Sequence, residues 1–85
     1  MFKSWSDDAW TDYMYWHSTG DKQILKRINR IIADIDWHPF TGIGKPEPLK
    51  FELIGKWSRR INSEHRIICR IEENTIYIYA VRSHD

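Results

Sequence analysis

The sequence predicts an α+β fold in which a two-helix hairpin packs on an antiparallel β-sheet. Two helix-like segments separated by a short turn come first, and three strand-like segments joined by short turns follow. Short connections favour antiparallel neighbours in both halves of the chain. A helix pair on one sheet face is the simplest arrangement that buries both apolar surfaces. The 85 residues are expected to form a single domain spanning 1–85.

The first helix is predicted by its end signals. Phe2–Trp5 alternates aromatic and polar residues, which favours a short strand. Ser6 then suits a helix N-cap, and Asp7 is the first of two acidic residues that favour the helix N-terminus. Gly20 is expected to end this helix soon after residue 18.

The second helix is predicted by an apolar stripe. Asp21 is its expected N-cap, and Pro39 stops it near Trp37. The stripe recurs at three- and four-residue steps and consists of Ile24, Leu25, Ile28, Ile31, Ile32 and Ile35. This face is expected to pack on the sheet.

The second half of the chain predicts the antiparallel sheet. Gly and Pro residues make 40–48 a loop. Trp57–Ile61, His65–Ile71 and Thr75–Val81 are candidate strands, and the short turns between them predict an antiparallel meander. Leu49–Leu53 is a candidate for one more strand before them.

Positive charge is concentrated in residues 42–70. This segment has seven Lys and Arg residues and three glutamates, a formal charge of +4, whereas 1–41 sums to −1 and 71–85 to −2. Such a local excess suits a ligand that contains several phosphates, although charge alone is equally compatible with a solvated basic face.

Composition and motifs exclude several classes of function. The histidines and Cys69 follow no recognised metal-ligand spacing, so no metal or other cofactor is predicted. One cysteine cannot form an internal disulfide, which favours a reducing compartment. No apolar run approaches the ~20 residues of a membrane span, and residues 1–10 lack a signal-peptide core. A cytoplasmic location without membrane contact is therefore expected.

A set of short motifs resembles the YoeB-type toxins of the RelE superfamily. The motifs are Trp5-Ser6, Gly44-Lys-Pro-Glu-Pro-Leu-Lys50, Trp57-Ser-Arg-Arg-Ile61, Glu64-His-Arg66 and Arg82-Ser-His84. The resemblance extends over nearly the whole chain. It implies a RelE-like, microbial ribonuclease-like fold and the toxin of a type II toxin–antitoxin system.

The resemblance also implies an activity and partners. Members of that family are metal-independent endoribonucleases that cleave mRNA in the A site of the 30S subunit of the 70S ribosome and so inhibit translation. A YefM-type antitoxin is the expected inhibitor, and the toxin–antitoxin complex is expected to bind operator DNA. A homodimer is expected as well.

The resemblance assigns roles to individual residues. Glu47 matches the general base, His84 the general acid, and Arg66 the arginine that stabilises the transition-state phosphate. Cleavage by attack of a ribose 2′-OH requires these three functions. The expected contacts with RNA phosphates are Lys45, Lys50 and Arg60. Arg66 and Arg60 should lie on neighbouring strands.

For other prominent side chains a structural role is predicted. Arg59 should point to the face opposite Arg60 and be an ordinary surface charge. Trp10, Tyr13 and Trp16 are expected to pack in the core and between the helices, with a surface that faces a dimer partner or the antitoxin as the alternative for some of them. Cys69 is predicted to be a structural residue or a bystander.

The C-terminus departs from the family pattern. Ser83 and Asp85 flank His84 where the related toxins have aromatic residues. An aromatic side chain could stack on a base, whereas a carboxylate would repel a phosphate. The alternative function is therefore a catalytically weakened toxin-like protein that acts mainly as an antitoxin-bound DNA corepressor. A plain interaction domain with a basic face is a third possibility.

Overall fold

The computed structural model describes residues 1–84 and confirms the predicted α+β class. Its elements, in chain order, are β1 Phe2–Trp5, α1 Asp7–Thr19, α2 Lys22–Trp37, β2 Glu47–Pro48, a short 3₁₀ helix Phe51–Leu53, β3 Trp57–Arg60, β4 Arg66–Glu72 and β5 Thr75–Ser83. Among these residues, no helix is both long enough and apolar enough to cross a membrane.

The five strands form one sheet in the order β1-β5-β4-β3-β2. Strands β2 to β5 are antiparallel to their neighbours, but β1 pairs in parallel with β5, with Phe2 opposite Thr75 and Trp5 opposite Ile78. The predicted antiparallel meander of β3 to β5 is confirmed, and β1, whose partner was not predicted, makes the whole sheet mixed. Parallel pairing is possible because both helices and three strands lie between β1 and β5, so no tight turn joins them.

The predicted extra strand at Leu49–Leu53 was also wrong. The chain is extended slightly earlier, at Glu47–Pro48, where Glu47 pairs with Ser58. Phe51 then has a positive φ of 57°, which interrupts an extended path. The next N–H groups form i→i+3 bonds, including one of 3.1 Å from Leu53 to the Lys50 carbonyl, so the segment is a 3₁₀ turn. As β2 is an edge strand, Pro48 breaks no interior ladder.

Both predicted helix N-caps are confirmed. The Ser6 hydroxyl accepts a 3.0 Å hydrogen bond from the Ala9 N–H, and the Asp21 carboxylate accepts one of 3.2 Å from the Ile24 N–H. Gly20 has the left-handed conformation, with φ of 73°, that ends α1 and turns the chain into α2.

The core lies between the helices and one face of the sheet. The fully buried side chains of α2 are Ile28, Ile31 and Ile35, and they share a cluster with residues of β4 and β5, namely Ile67, Cys69, Ile76, Ile78 and Val81. Ile68 is also buried but lies outside this cluster, as expected for the residue after Ile67 on a strand. The helices pack on the face that holds Ile67, and the opposite sheet face is hereafter called the open face.

Candidate active site

The predicted arginine pair lies on the open face. Arg60 is directly opposite Arg66 in the β3–β4 register, and Arg66 is opposite Ser83 in the β4–β5 register. Directly opposite residues of adjacent strands project to the same side of a sheet. Arg60 and Arg66 are thus neighbours on adjacent strands, as the sequence predicted, and His84 follows Ser83 at the end of β5.

Glu47 reaches the same part of the sheet from the edge strand. Its Oε2 atom is 4.0 Å from Nη1 of Arg66, the limit of an ion pair. The Glu47 side chain is 65% exposed and that of Arg66 27% exposed. The carboxylate is therefore open to a ligand, while the guanidinium beside it is held within the surface.

His84 packs against a buried histidine. The ring centroids of His65 and His84 are 4.6 Å apart, and His65 also packs edge-on with Trp16 at a centroid distance of 4.9 Å. Trp16 is buried, and its indole N–H donates a 2.8 Å hydrogen bond to the Val81 carbonyl. Helix α1 thus fixes both β5 and the ring on which His84 rests.

The other two predicted phosphate contacts are on the loop around β2. Lys45 and Lys50 are exposed and lie on either side of Glu47 along the chain. Lys45 has a positive φ of 50°. The loop is attached to β3 by a 2.6 Å hydrogen bond from the Arg60 N–H to the Gly44 carbonyl, which connects it to the arginine pair.

The prediction that Arg59 is an ordinary surface charge was wrong. Its side chain points away from that of Arg60, as predicted, but it is 1% exposed and is not a surface charge. Nη1 donates to Asp34 Oδ2 at 2.7 Å and to the Ile43 carbonyl at 3.2 Å, and Nη2 donates to the His38 carbonyl. Arg59 therefore holds the loop after α2 against the core, and this role depends on the Asp34 carboxylate of α2.

The environment of Asp34 supports this anchoring role. Burial acts to raise the pKa of the Asp34 carboxyl, but hydrogen bonds from Arg59, His38 and the Ile43 N–H outweigh it, so its pKa lies below the usual value. The carboxylate is thus ionised at neutral pH and neutralises the buried guanidinium.

Cys69 is buried on the helix side of β4, as expected for a structural residue. Burial raises the pKa of its thiol to about 11, against a smaller opposing effect of the Arg59 charge. The thiol is therefore protonated at neutral pH and a poor nucleophile.

The α1 aromatics follow the core prediction only in part. Trp16 is buried, and Tyr13 packs against the core and donates a 2.6 Å hydrogen bond to the Asn29 side chain on α2. Trp10 packs edge-on against Trp5 but remains 49% exposed, so assigning it to the core was wrong.

The structure also assembles a group that sequence spacing did not reveal. Glu64, His65 and His84 each offer a donor atom, and the three atoms lie within 4.8 Å of one another. The first two are adjacent in the chain, but His84 joins them only through the β4–β5 hairpin. The Glu64-His65-Arg66 motif was the available signal, and the fold was needed to add His84. Asp85, whose carboxylate was predicted to repel a phosphate, lies outside the described residues.

The fold and this open face define the class of protein. Toxins of known structure share the arrangement over the full chain: a YoeB/ParE toxin from Agrobacterium tumefaciens has a TM-score of 0.95 and 38% identity, and both chains are covered completely. A YoeB dimer from Staphylococcus aureus has a TM-score of 0.91 and 40% identity, with 100% of this chain and 98% of the other covered.

The sequence comparisons agree. The model of the YoeB-like toxins of bacterial type II toxin–antitoxin systems matches residues 5–85, and the chain belongs to this family. The toxin YoeB of Escherichia coli O6:H1 is 51% identical over 80 residues, which are 94% of each chain. A heterotetrameric YoeB–YefM toxin–antitoxin complex from Staphylococcus aureus contains a chain with a TM-score of 0.90 and 40% identity, with 100% of this chain and 98% of that one covered.

Proposed function

We propose that this toxin is an endoribonuclease that cleaves mRNA in the ribosomal A site and thereby inhibits translation. The observation that carries the proposal is the ion pair of Glu47 with Arg66 on the open face, together with the position of His84 one residue after Ser83, which lies opposite Arg66. A carboxylate, a guanidinium and an imidazole are the side chains that acid–base cleavage of a phosphodiester needs.

In the proposed reaction, Glu47 accepts the proton of a ribose 2′-OH as the oxygen attacks the adjacent phosphorus. The bond from the 2′-oxygen to phosphorus forms, and the bond from phosphorus to the 5′-oxygen breaks. His84 donates a proton to the departing 5′-oxygen. The products are a 2′,3′-cyclic phosphate and a 5′-hydroxyl.

Negative charge builds on the phosphate oxygens during the attack. Arg66 is placed to bind two of them through its planar guanidinium, because it lies beside the base and is partly shielded from water. Arg60, opposite Arg66, and the exposed Lys45 and Lys50 would hold the neighbouring phosphates. These side chains supply the acid, the base and the charge stabilisation, so the proposed reaction requires no metal.

The proposed partners follow from the related structures. A YoeB toxin forms a dimer in one, and YoeB is bound to YefM in another. We therefore propose a homodimer, inhibition by a YefM-type antitoxin, and binding of operator DNA through that complex. The proposed substrate, mRNA on the 70S ribosome, places the activity in the cytoplasm.

The test is cleavage of a defined mRNA on programmed ribosomes, with EDTA present in control reactions on free RNA. Wild type should cut in the A-site codon, and His84→Gln and Glu47→Gln should each lower the rate by about 10²- to 10⁴-fold. His17→Gln is the matched control, since His17 is an exposed histidine on α1, away from the open face.

Two results would contradict the proposal. Unchanged cleavage by the Glu47 and His84 variants would show that these residues are not the base and the acid. No cleavage by folded wild-type protein that still binds its antitoxin would favour the corepressor alternative instead.

A further inference from the structure

We propose that Glu64, His65 and His84 form a binding site for a divalent transition metal such as Zn²⁺, located at the proposed general acid. Two imidazoles and a carboxylate are a common set of zinc ligands. The group lies where β4 begins and β5 ends, at the end of the sheet where His65 packs against Trp16. The proposed cleavage does not use Glu64 or His65.

The geometry of the first two ligands already suits one ion. His65 Nε2 and Glu64 Oε2 are 3.0 Å apart. Two ligand atoms at about 2.0–2.2 Å from a tetrahedral zinc are separated by about 3.3 Å, so this pair needs little adjustment.

The third ligand has to move only a short distance. All three donor atoms lie within 4.8 Å of one another, somewhat more than in a closed site. The Glu64 side chain is 65% exposed and His84 is exposed as well, so both can rotate toward an ion. His65 provides the fixed point, because its side chain is only 9% exposed and packs against the buried Trp16.

His65 also carries an unused polar atom. Its Nδ1 is buried and has no hydrogen-bond partner among the described residues. A buried polar group without a partner is costly in a structural histidine. Because Nδ1 is enclosed, Nε2, which faces the Glu64 carboxylate, is the nitrogen placed to bind an ion.

The site would make activity sensitive to metal. While His84 coordinates an ion it cannot donate a proton to the leaving oxygen, so Zn²⁺ should inhibit cleavage. This consequence rests on the proposed function, whereas metal binding itself does not. Carboxylate and imidazole ligands together favour Zn²⁺ over Mg²⁺, which prefers oxygen ligands.

The first experiment is calorimetric titration of the untagged, metal-free protein with ZnCl₂, with MgCl₂ as the control ion. Wild type should bind one Zn²⁺ ion per chain. Loss of an outer-shell partner costs about 10- to 100-fold in metal affinity, so loss of a ligand in Glu64→Ala or His84→Gln should cost at least as much. His17→Gln should bind Zn²⁺ like wild type.

The outcomes are separable. Equal Zn²⁺ affinity in wild type, Glu64→Ala and His84→Gln, or no saturable binding by wild type, would overturn the site.

The second experiment adds Zn²⁺ to the ribosomal cleavage reaction of wild type and Glu64→Ala. Zn²⁺ should inhibit wild type at concentrations that leave Glu64→Ala active. Zn²⁺ binding without inhibition would refute only the predicted sensitivity of cleavage to metal. If the metal-free wild type does not cleave mRNA, the proposed function is refuted, but Zn²⁺ binding measured by calorimetry still supports the metal site.

Discussion

Arg59 and Arg60 are adjacent on β3, yet the fold uses them in opposite ways. Arg59 is buried on the helix side, where its guanidinium binds Asp34 and two loop carbonyls. Arg60 is exposed on the open face beside Arg66. Because side chains alternate along a strand, Arg59 points into the protein core and Arg60 points to the solvent-exposed face. A guanidinium on the helix face stabilises the fold, and one on the open face remains accessible from solvent.

The largest expected effect is a loss of stability when Arg59, the buried arginine of the pair, is replaced. Arg59→Ala leaves the Asp34 carboxylate without its cation, and breaking a buried ion pair in this way costs about 3–5 kcal/mol. Urea denaturation should show this loss in the free energy of unfolding. Arg60→Ala is the matched control and should change it by less than about 0.5 kcal/mol. Equal losses for both variants would remove the contrast between the two faces.

The second largest effect is expected on the rate of mRNA cleavage when Arg66 on the open face is replaced. Arg66→Ala should lower the rate of mRNA cleavage on ribosomes by about 10²- to 10³-fold, the effect of removing one donor from a transition-state oxyanion. Its free energy of unfolding should stay near that of wild type, because the only ion pair recorded for Arg66 among residues 1–84 is the long one to Glu47. A variant that loses stability and activity in parallel would point to a structural role.

A smaller effect is expected where the loop meets the buried ion pair. Gly42 has φ of 99°, and a Cβ atom there would overlap the Asp34 carboxylate. Gly42→Ala should therefore destabilise the protein by about 1–3 kcal/mol through backbone strain together with displacement of Asp34. Gly55→Ala is the control, since Gly55 has a similar φ of 95° and open space around it. A difference between the two variants in thermal denaturation isolates the contact with Asp34.

The smallest effect is expected on the pH dependence of stability, through Asp34. The pKa of Asp34 is lowered from 3.8 in the folded protein, so its stabilising contribution is complete above pH 3.8 and is lost as the pH falls toward the lower folded pKa. In that range the unfolded chain binds a proton before the folded one does. Denaturation curves between pH 6 and the acid limit should fall less steeply for Asp34→Asn than for wild type. Parallel curves would show that Asp34 does not contribute.

Much of this molecule could be predicted from local sequence. Helix ends depend on one cap residue and its nearest N–H groups, and Ser6, Gly20 and Asp21 behave as their chemistry requires. The pairing of Arg60 with Arg66 follows from a short turn between two alternating strands. The roles of Glu47, Arg66 and His84 remain predictions; the structure pairs Glu47 with Arg66 and puts His84 one residue after Ser83, which is opposite Arg66.

Tertiary structure decided what depends on partners distant in the chain. Strand periodicity does not specify the neighbour, so the parallel pairing of β1 with β5 was not predictable from Phe2–Trp5. Alternation gave the direction of Arg59, but its burial depends on a carboxylate from α2. His84 meets His65 and Glu64 only because β4 and β5 form a hairpin. Local signals determine where elements begin and end, whereas burial and site assembly result from long-range packing that no short segment encodes.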